Sequence, residues 1–438
     1  MNPLIILHGW SDNSGSFVPL ADWLAQRGFK VVPIYLGDYL SMNDEVTLHD
    51  LGFAFQRALK DKNIAQAAHS FDVVVHSTGG LVIREYLRQV CQGKPDRTPV
   101  EHLLMLAPAN FGSPLAKLGK SVLGRMLKGW DWDHFGETGK AILETLELAS
   151  PYSFQLALDD LFAPNNALFA PANTRVTVMV GTNSYDNYRK AMHENGSDGT
   201  VRVSTANLNA NLLRVDFADP KKPDYSFVQD NCPRLAFAVL NRNHSSIYDP
   251  AVADQAADWA RLVERALTVP VSGYAAHVAD CAAVTAKMFA AGGSSQKYHE
   301  YQHVVFRVRD QFGQPVDDYI VEFYQEEGDR PDRVFARIHG EILEKVTTYS
   351  GDSSYRSFLF DITDLEKFFR EKPNARVEMS VTAAAVSRRI SYRNPPGGIP
   401  VFSAKDRKFI RPNEPILVDV ILHRDPAPEV FKLTQHSS

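Results

Sequence analysis

Phe71-Asp72-Val73-Val74-Val75 is a β-branched run that passes through His76-Ser77-Thr78-Gly79-Gly80 directly into a helical pattern reaching Gln92. A strand so uniformly apolar needs cover on both faces, which is the situation of a strand in a mostly parallel sheet flanked by helices. The small residues at its end let the following helix start within a few residues and close to the strand. The rest of the first 270 residues follows suit. Short apolar runs at Leu4–Leu7, Phe29–Tyr35, His102–Leu106, Arg175–Val180, Leu212–Phe217 and Leu235–Leu240 alternate with helical patterns at Phe17–Arg27, Asp44–Lys60 and Ala251–Ala266. Strand–helix alternation of this kind predicts an α/β domain over residues 1–270. Residues 113–172 carry no strand signal and read as a helical insertion.

Beyond Val269 the texture changes. Residues 271–296 read as a linker in which Tyr274–Met288 can still be helical, with Gly292-Gly293-Ser294-Ser295 as its joint. Residues 297–438 alternate with period two, as at Val304, Phe306, Val308 and at Ile416, Val418, Val420, Leu422, which predicts an all-β, sandwich-like C-terminal domain. Forty-seven Lys and Arg against 52 Asp and Glu leave a net charge of −5, so a nucleic-acid partner held on a basic face is not expected. Cys91, Cys232 and Cys281 are odd in number and far apart, which predicts neither a disulfide framework nor a thiolate metal cluster. The start, Met-Asn-Pro before Leu4-Ile5-Ile6-Leu7, lacks the basic head and long apolar stretch of a cleavable secretory signal, and no apolar run is long enough for a membrane helix.

The strand-to-helix junction is the setting of a nucleophile elbow, a sharp turn that lifts a serine above the sheet. Ser77 is the candidate nucleophile, although Val75 stands where the usual pattern has its first glycine. A serine needs a base and a group to orient that base, in the chain order serine, acid, histidine on this scaffold. Gly196-Ser197-Asp198-Gly199 follows a predicted strand and frames Asp198 with glycines, which favours it over its rival Asp186. Asn241-Arg242-Asn243-His244 follows the last predicted strand and makes His244 the candidate base. His8-Gly9-Trp10 follows the first strand. The backbone N–H groups of Trp10 and Thr78 are therefore the candidate oxyanion donors, a task backbone amides perform without reorganisation. Nothing in this chemistry requires a cofactor or a metal.

With Leu7-His8-Gly9-Trp10, Val75-His76-Ser77-Thr78-Gly79-Gly80 and Leu106-Ala107-Pro108-Ala109-Asn110-Phe111-Gly112-Ser113-Pro114 in place, the first 270 residues resemble an α/β-hydrolase of the lipase kind. His-Ser-Thr-Gly-Gly together with an all-β C-terminal half resembles the bacterial PlaB-type phospholipase A/lysophospholipase family. That resemblance implies hydrolysis of fatty acyl esters in glycerophospholipids and lysophospholipids, with the nucleophile, acid and base falling on Ser77, Asp198 and His244. It also implies a bacterial, cell-associated, peripherally membrane-bound protein and a homo-oligomer. A carboxylesterase or triacylglycerol lipase would share every one of these residues. A binding scaffold with a decayed triad is the non-enzymatic alternative.

Inside the insertion, Lys117, Lys120, Arg125 and Lys128 interleave with Leu123, Leu127 and Trp130, a cationic amphipathic pattern suited either to a bilayer interface or to a cap over the pocket. Three strings imitate other chemistry. His299-Glu300-Tyr301-Gln302-His303 spells the zinc-protease motif, but a β pattern begins at His303, where that motif needs a helix. Gly119-Lys120-Ser121 echoes a phosphate loop with no strand before it, and Asp131, Asp133 and His134 read as a polar lid edge.

Overall fold

The computed structural model describes residues 2–7, 14–34, 45–118, 139–183, 194–229, 232–290, 298–325, 332–403, 405–427 and 430. In chain order the first strands are β1 (Pro3–Leu7), β2 (Lys30–Ile34), β3 (Phe71–His76), β4 (Val100–Leu106), β5 (Arg175–Gly181), β6 (Asn211–Asp216), β7 (Asp224–Gln229) and β8 (Ala236–Leu240). They are followed by β9 (Tyr301–Asp310), β10 (Tyr319–Tyr324), β11 (Leu343–Thr348), β12 (Tyr355–Asp361), β13 (Arg376–Ala383), β14 (Ile390–Tyr392), β15 (Ile399–Ser403), β16 (Pro415–Leu422) and β17 (Arg424–Pro426). The principal helices are α1 (Val18–Gln26), α2 (Leu48–Asp61), α3 (Gly79–Cys91), α4 (Lys140–Leu146), α5 (Pro151–Asp160), α6 (Ala256–Ala266), α7 (Tyr274–Ala290), α8 (Asp332–Arg337) and α9 (Ile362–Glu371).

The chain divides into two units. In the first, Met1–Ala210 and Gln229–Tyr301 with a short return at Asn413–Pro415, six strands pair in the order β2-β1-β3-β4-β5-β8. The pairings β1–β2, β1–β3, β3–β4, β4–β5 and β5–β8 are all parallel. Burial explains the sequence: all of β3, β5 and β8 and nearly all of β4 are inaccessible to solvent, so both faces demand apolar side chains. α2 starts where it does because Thr47 and Asp50 form a reciprocal capping box. α6 turns Trp259, Leu262, Val263 and Ala266 inward at helical spacing. α4 and α5 fall within the insertion, and turns and coil follow them over residues 161–172.

Two boundaries differ from the sequence reading. Residues 274–290, expected within a linker, form α7 of the first unit, with Tyr274, His277, Cys281, Val284 and Met288 buried at three- and four-residue spacing. The Tyr274 hydroxyl accepts from the Ala236 amide at 3.1 Å and donates to the Val176 carbonyl, which fastens the helix to β8 and β5. The run at Leu212–Phe217, expected in the first sheet, is β6 of the second unit, paired in parallel with β16. Leu213, Val215 and Phe217 enter that unit's core while Arg214 faces solvent. One charged face is what a strand covered on one side carries, and the parallel first sheet has no exposed face to give it.

The second unit, Asn211–Val228, Gln302–Pro412 and Ile416–Ser438, is predominantly β. One sheet runs β11-β12-β9-β16-β6-β7 and another β10-β13-β15, with the pair β14-β17 beside them. Phe306, Val308, Phe358, Phe360, Val377, Met379, Val418 and Val420 are among its core. α9, capped by Asp361, adds Leu365, Phe368 and Phe369 to that core.

Candidate active site

Ser77 sits at φ +54°, a left-handed conformation that a non-glycine residue adopts only under constraint. The constraint is visible. Its N–H donates to the Leu106 carbonyl at 3.1 Å, and its own carbonyl accepts from Gly80 at 3.1 Å and from Ala109 at 3.2 Å. The two glycines that follow are sterically required. A Cβ on Gly79 would stand 2.9 Å from the Leu7 carbonyl oxygen and 3.3 Å from the Val75 Cβ, and one on Gly80 2.7 Å from the Pro108 Cβ. Gly79 thus faces Val75, which stands in the place of the usual first glycine, and its lack of a side chain leaves that Cβ room. The segment Leu106–Pro114 braces the elbow from the other side: the Phe111 amide donates to the Thr205 carbonyl at 3.0 Å and the Ser113 hydroxyl to the Thr200 carbonyl at 2.6 Å.

Asp198 and His244 converge on this serine. His244 Nε2 lies 3.1 Å from Ser77 Oγ, and Nδ1 lies 2.8 Å from Asp198 Oδ2. All three side chains are buried. The second carboxylate oxygen of Asp198 accepts the Thr200 and Val201 amides at 2.9 and 2.7 Å, so the carboxylate is fixed by its own turn and aims its free oxygen at the imidazole. Since a carboxylate only accepts, Nδ1 carries the proton and Nε2 is left to take one from the serine. The turn has support below it: Arg202, fully buried, makes two hydrogen bonds with Glu194 at 2.7 and 2.6 Å across the base of the loop.

The loop that delivers His244 passes close under β5. A Cβ on Gly181 would fall 1.9 Å from the Arg242 carbonyl oxygen, which accepts the Asn183 amide at 3.1 Å instead. The His244 amide donates to the Asp198 carbonyl at 3.0 Å. Sequence reasoning missed Gly181 and Arg242, since a glycine at a strand end and an arginine on a polar loop are ordinary features. It also gave His76 no role, although that residue abuts His244.

Thr78 caps α3, so its N–H lies outside the helix ladder and next to the nucleophile. Trp10, Asp186, Lys120, Leu123, Arg125, Leu127, Lys128, Trp130, Asp131, Asp133 and His134 lie outside the described residues, as does the Gly119–Ser121 string. Lys117 is described, exposed in a short turn at the start of the insertion. The zinc-protease string does not sit on a helix: Tyr301, Gln302 and His303 open β9. Asp72, Glu101 and His102 come within ligand distance of one another at the opposite end of the strands from Ser77. Each already has a protein partner: Arg175 pairs with Glu101, and His102 Nδ1 lies 2.8 Å from Asp72. This group is an ion-pair network.

A parallel sheet, a left-handed serine between strand and helix, and an acid and a histidine on later loops define the α/β-hydrolase fold. The solved phospholipase PlaB from Legionella pneumophila superimposes with a TM-score of 0.85 at 24% identity, over 100% of this chain and 96% of that one. The same protein in complex with thio-NAD gives a TM-score of 0.83 at 24% identity, over 100% and 97%. The likeness thus extends over both units and is one of fold. No protein-family model and no curated protein sequence matches the chain.

Proposed function

We propose that this protein is a serine hydrolase that releases fatty acids from glycerophospholipids and lysophospholipids. The observation that carries the reading is the hydrogen-bonded chain Asp198–His244–Ser77 on an α/β-hydrolase elbow. The substrate class is taken from the fold shared with a phospholipase along the whole chain. In the reaction His244 Nε2 takes the Ser77 proton as Oγ attacks the acyl carbonyl, and Asp198 stabilises the imidazolium. The Thr78 amide, with that of Trp10, holds the oxyanion. The tetrahedral intermediate collapses, His244 gives its proton to the departing glycerol oxygen, and the acyl group remains on Ser77. Water, deprotonated by His244, then attacks the ester and frees the fatty acid and the serine.

No helix among the described residues is long and apolar enough to cross a membrane. In this reading the protein works peripherally, as a homo-oligomer, with the cationic stretch Lys117–Trp130 meeting the lipid surface. A fluorophosphonate probe labels Ser77 in the folded protein, and Ser77→Ala abolishes both labelling and fatty-acid release, a loss of roughly 10⁶-fold in kcat. The decisive measurement compares vesicles of phosphatidylcholine, vesicles containing lysophosphatidylcholine and an emulsion of triacylglycerol. Preferential turnover of the emulsion identifies a triacylglycerol lipase instead. Absence of labelling and of turnover on all three removes the enzymatic reading.

A further inference from the structure

His244 is held by more than Asp198. His76, the last residue of β3, is buried, and its Nε2 lies 3.0 Å from the main-chain carbonyl oxygen of His244. A carbonyl oxygen only accepts, so His76 carries its proton on Nε2 and donates it. The two imidazole rings lie 4.6 Å apart between centroids, tilted by 47°. Behind His76, Tyr248 meets its ring edge-on at 4.8 Å, and Phe17 stacks on Tyr248 at 4.3 Å. His76 is thereby wedged between the base and an aromatic pair that leaves it little room to turn. The main chain of His244 is gripped on both sides: its N–H by the Asp198 carbonyl, its C=O by His76.

The position in sequence matters as much as the contact. His76 precedes Ser77 directly, on the rigid end of a fully buried strand. One strand end thus carries the candidate nucleophile and the donor that sets the height of its base. Any shift of the elbow moves both together, and the 3.1 Å spacing between Oγ and Nε2 is kept. We propose that His76 is a positioning residue that fixes His244 against Ser77 through the His244 carbonyl. The inference rests on the serine-hydrolase reading and adds to it a residue that touches no substrate.

Side-chain isosteres separate this role from mere filling of the core. The amide nitrogen of Gln reaches the place of Nε2, that of Asn reaches the place of Nδ1, and Phe keeps the ring without the donor. The experiment takes purified His76→Gln, His76→Asn and His76→Phe in the full chain. It measures kcat and KM on a soluble short-chain p-nitrophenyl ester, thermal unfolding, and the downfield proton resonance of the His244–Asp198 hydrogen bond. A base displaced by about 1 Å loses on the order of 10²-fold in rate. His76→Phe and His76→Asn therefore lose roughly 10²-fold in kcat with KM unchanged, and their downfield resonance broadens or disappears. Gln restores kcat to within about threefold of the unsubstituted protein, since it remakes the hydrogen bond. Full kcat in a folded His76→Phe overturns the proposal, and so does a Gln variant as slow as Phe. Should the unsubstituted protein turn over no ester, the hydrolase reading falls by itself. The resonance then decides on His76: its persistence unchanged in His76→Phe refutes the positioning role, and its loss there with retention in Gln upholds it.

Discussion

Gly181 ends β5 where the Arg242 carbonyl passes, 1.9 Å from the site a Cβ would occupy, with the Asp198 Cβ 3.2 Å away on another side. Both neighbours are backbone or nearly so and cannot rotate aside. Gly181→Ala therefore displaces the loop that delivers His244. Overpacking of this kind costs about 1–3 kcal/mol. Thermal unfolding should show a lowered midpoint, and kcat should fall with KM nearly constant; an alanine variant with both values unaltered would show that the loop yields freely. Single residues were also where the sequence was most and least readable. Ser77 and its two glycines could be found because their spacing has one steric purpose. Asp198 could be chosen over Asp186 on its glycine frame, and the structure brings Asp198 to His244. Gly181 offered no such cue, because its partner lies 61 positions along the chain and meets it only in the fold.

At the scale of an element, the His244 loop is organised around one cation. The buried Arg242 guanidinium donates to the carbonyls of Ser246 at 2.8 Å, Asp249 at 2.7 Å, Val252 at 3.0 Å and Asp254 at 3.3 Å, and lies 4.9 Å from the Trp259 ring centre. Burial pulls its pKa down to about 10, which still leaves it charged at neutral pH. The loop therefore wraps a guanidinium much as a site wraps a ligand. A lysine ammonium, with one nitrogen, cannot serve carbonyls spread over nine residues. Each buried carbonyl left unpaired costs about 1–3 kcal/mol. Arg242→Lys is expected to lower stability and to speed hydrogen exchange at residues 243–255 well before the core strands exchange. Unchanged protection of those amides would show that the loop holds itself. Elements were legible where hydrophobic periodicity was decisive. The strands of the first sheet announced themselves by unbroken apolar runs. α7 showed a helical pattern at Tyr274–Met288 but not its place in the first unit, because its buried stripe of Tyr, His, Cys, Val and Met is not uniformly apolar and an apparent joint follows it. β6 was assigned to the wrong sheet by its apolar run, although Arg214 and Asp216 already marked a strand with one wet face.

Over the whole molecule, buried titratable groups set how acid unfolds it. His277 on α7 is fully buried, with Nε2 2.9 Å from Thr177 Oγ1, and burial pulls its pKa down to about 4. His339 in the second unit is lowered for the same reason and accepts the Phe323 amide at 3.1 Å, a bond possible only in the neutral ring. Below pH 6.5 the unfolded chain takes up protons that these folded histidines refuse, so stability falls as pH drops from 6.5 towards 4. Carboxylates act in a lower window. Burial pushes Glu85 upward, but hydrogen bonds from Tyr152, His49, Arg88 and Gln89 together outweigh it and hold the group below its ordinary range. Asp419 is held down likewise by Arg307 and Arg309. Their stabilisation is present above the unfolded carboxylate pKa values and is lost as pH falls through the lowered ones. Two successive losses are thus expected, histidine first and carboxylate second. All five tryptophans fall outside the segments of the second unit, so tryptophan fluorescence follows the unfolding of the first unit alone. In urea titrations read by that signal, the stability difference between pH 7 and pH 4.5 should shrink by roughly 2.4 kcal/mol in His277→Gln, at about 1.4 kcal/mol per pKa unit over the part of the shift that this window spans. An unchanged difference would mean that His277 is not what makes the first unit acid-sensitive, and the loss would then have to begin only in the carboxylate window.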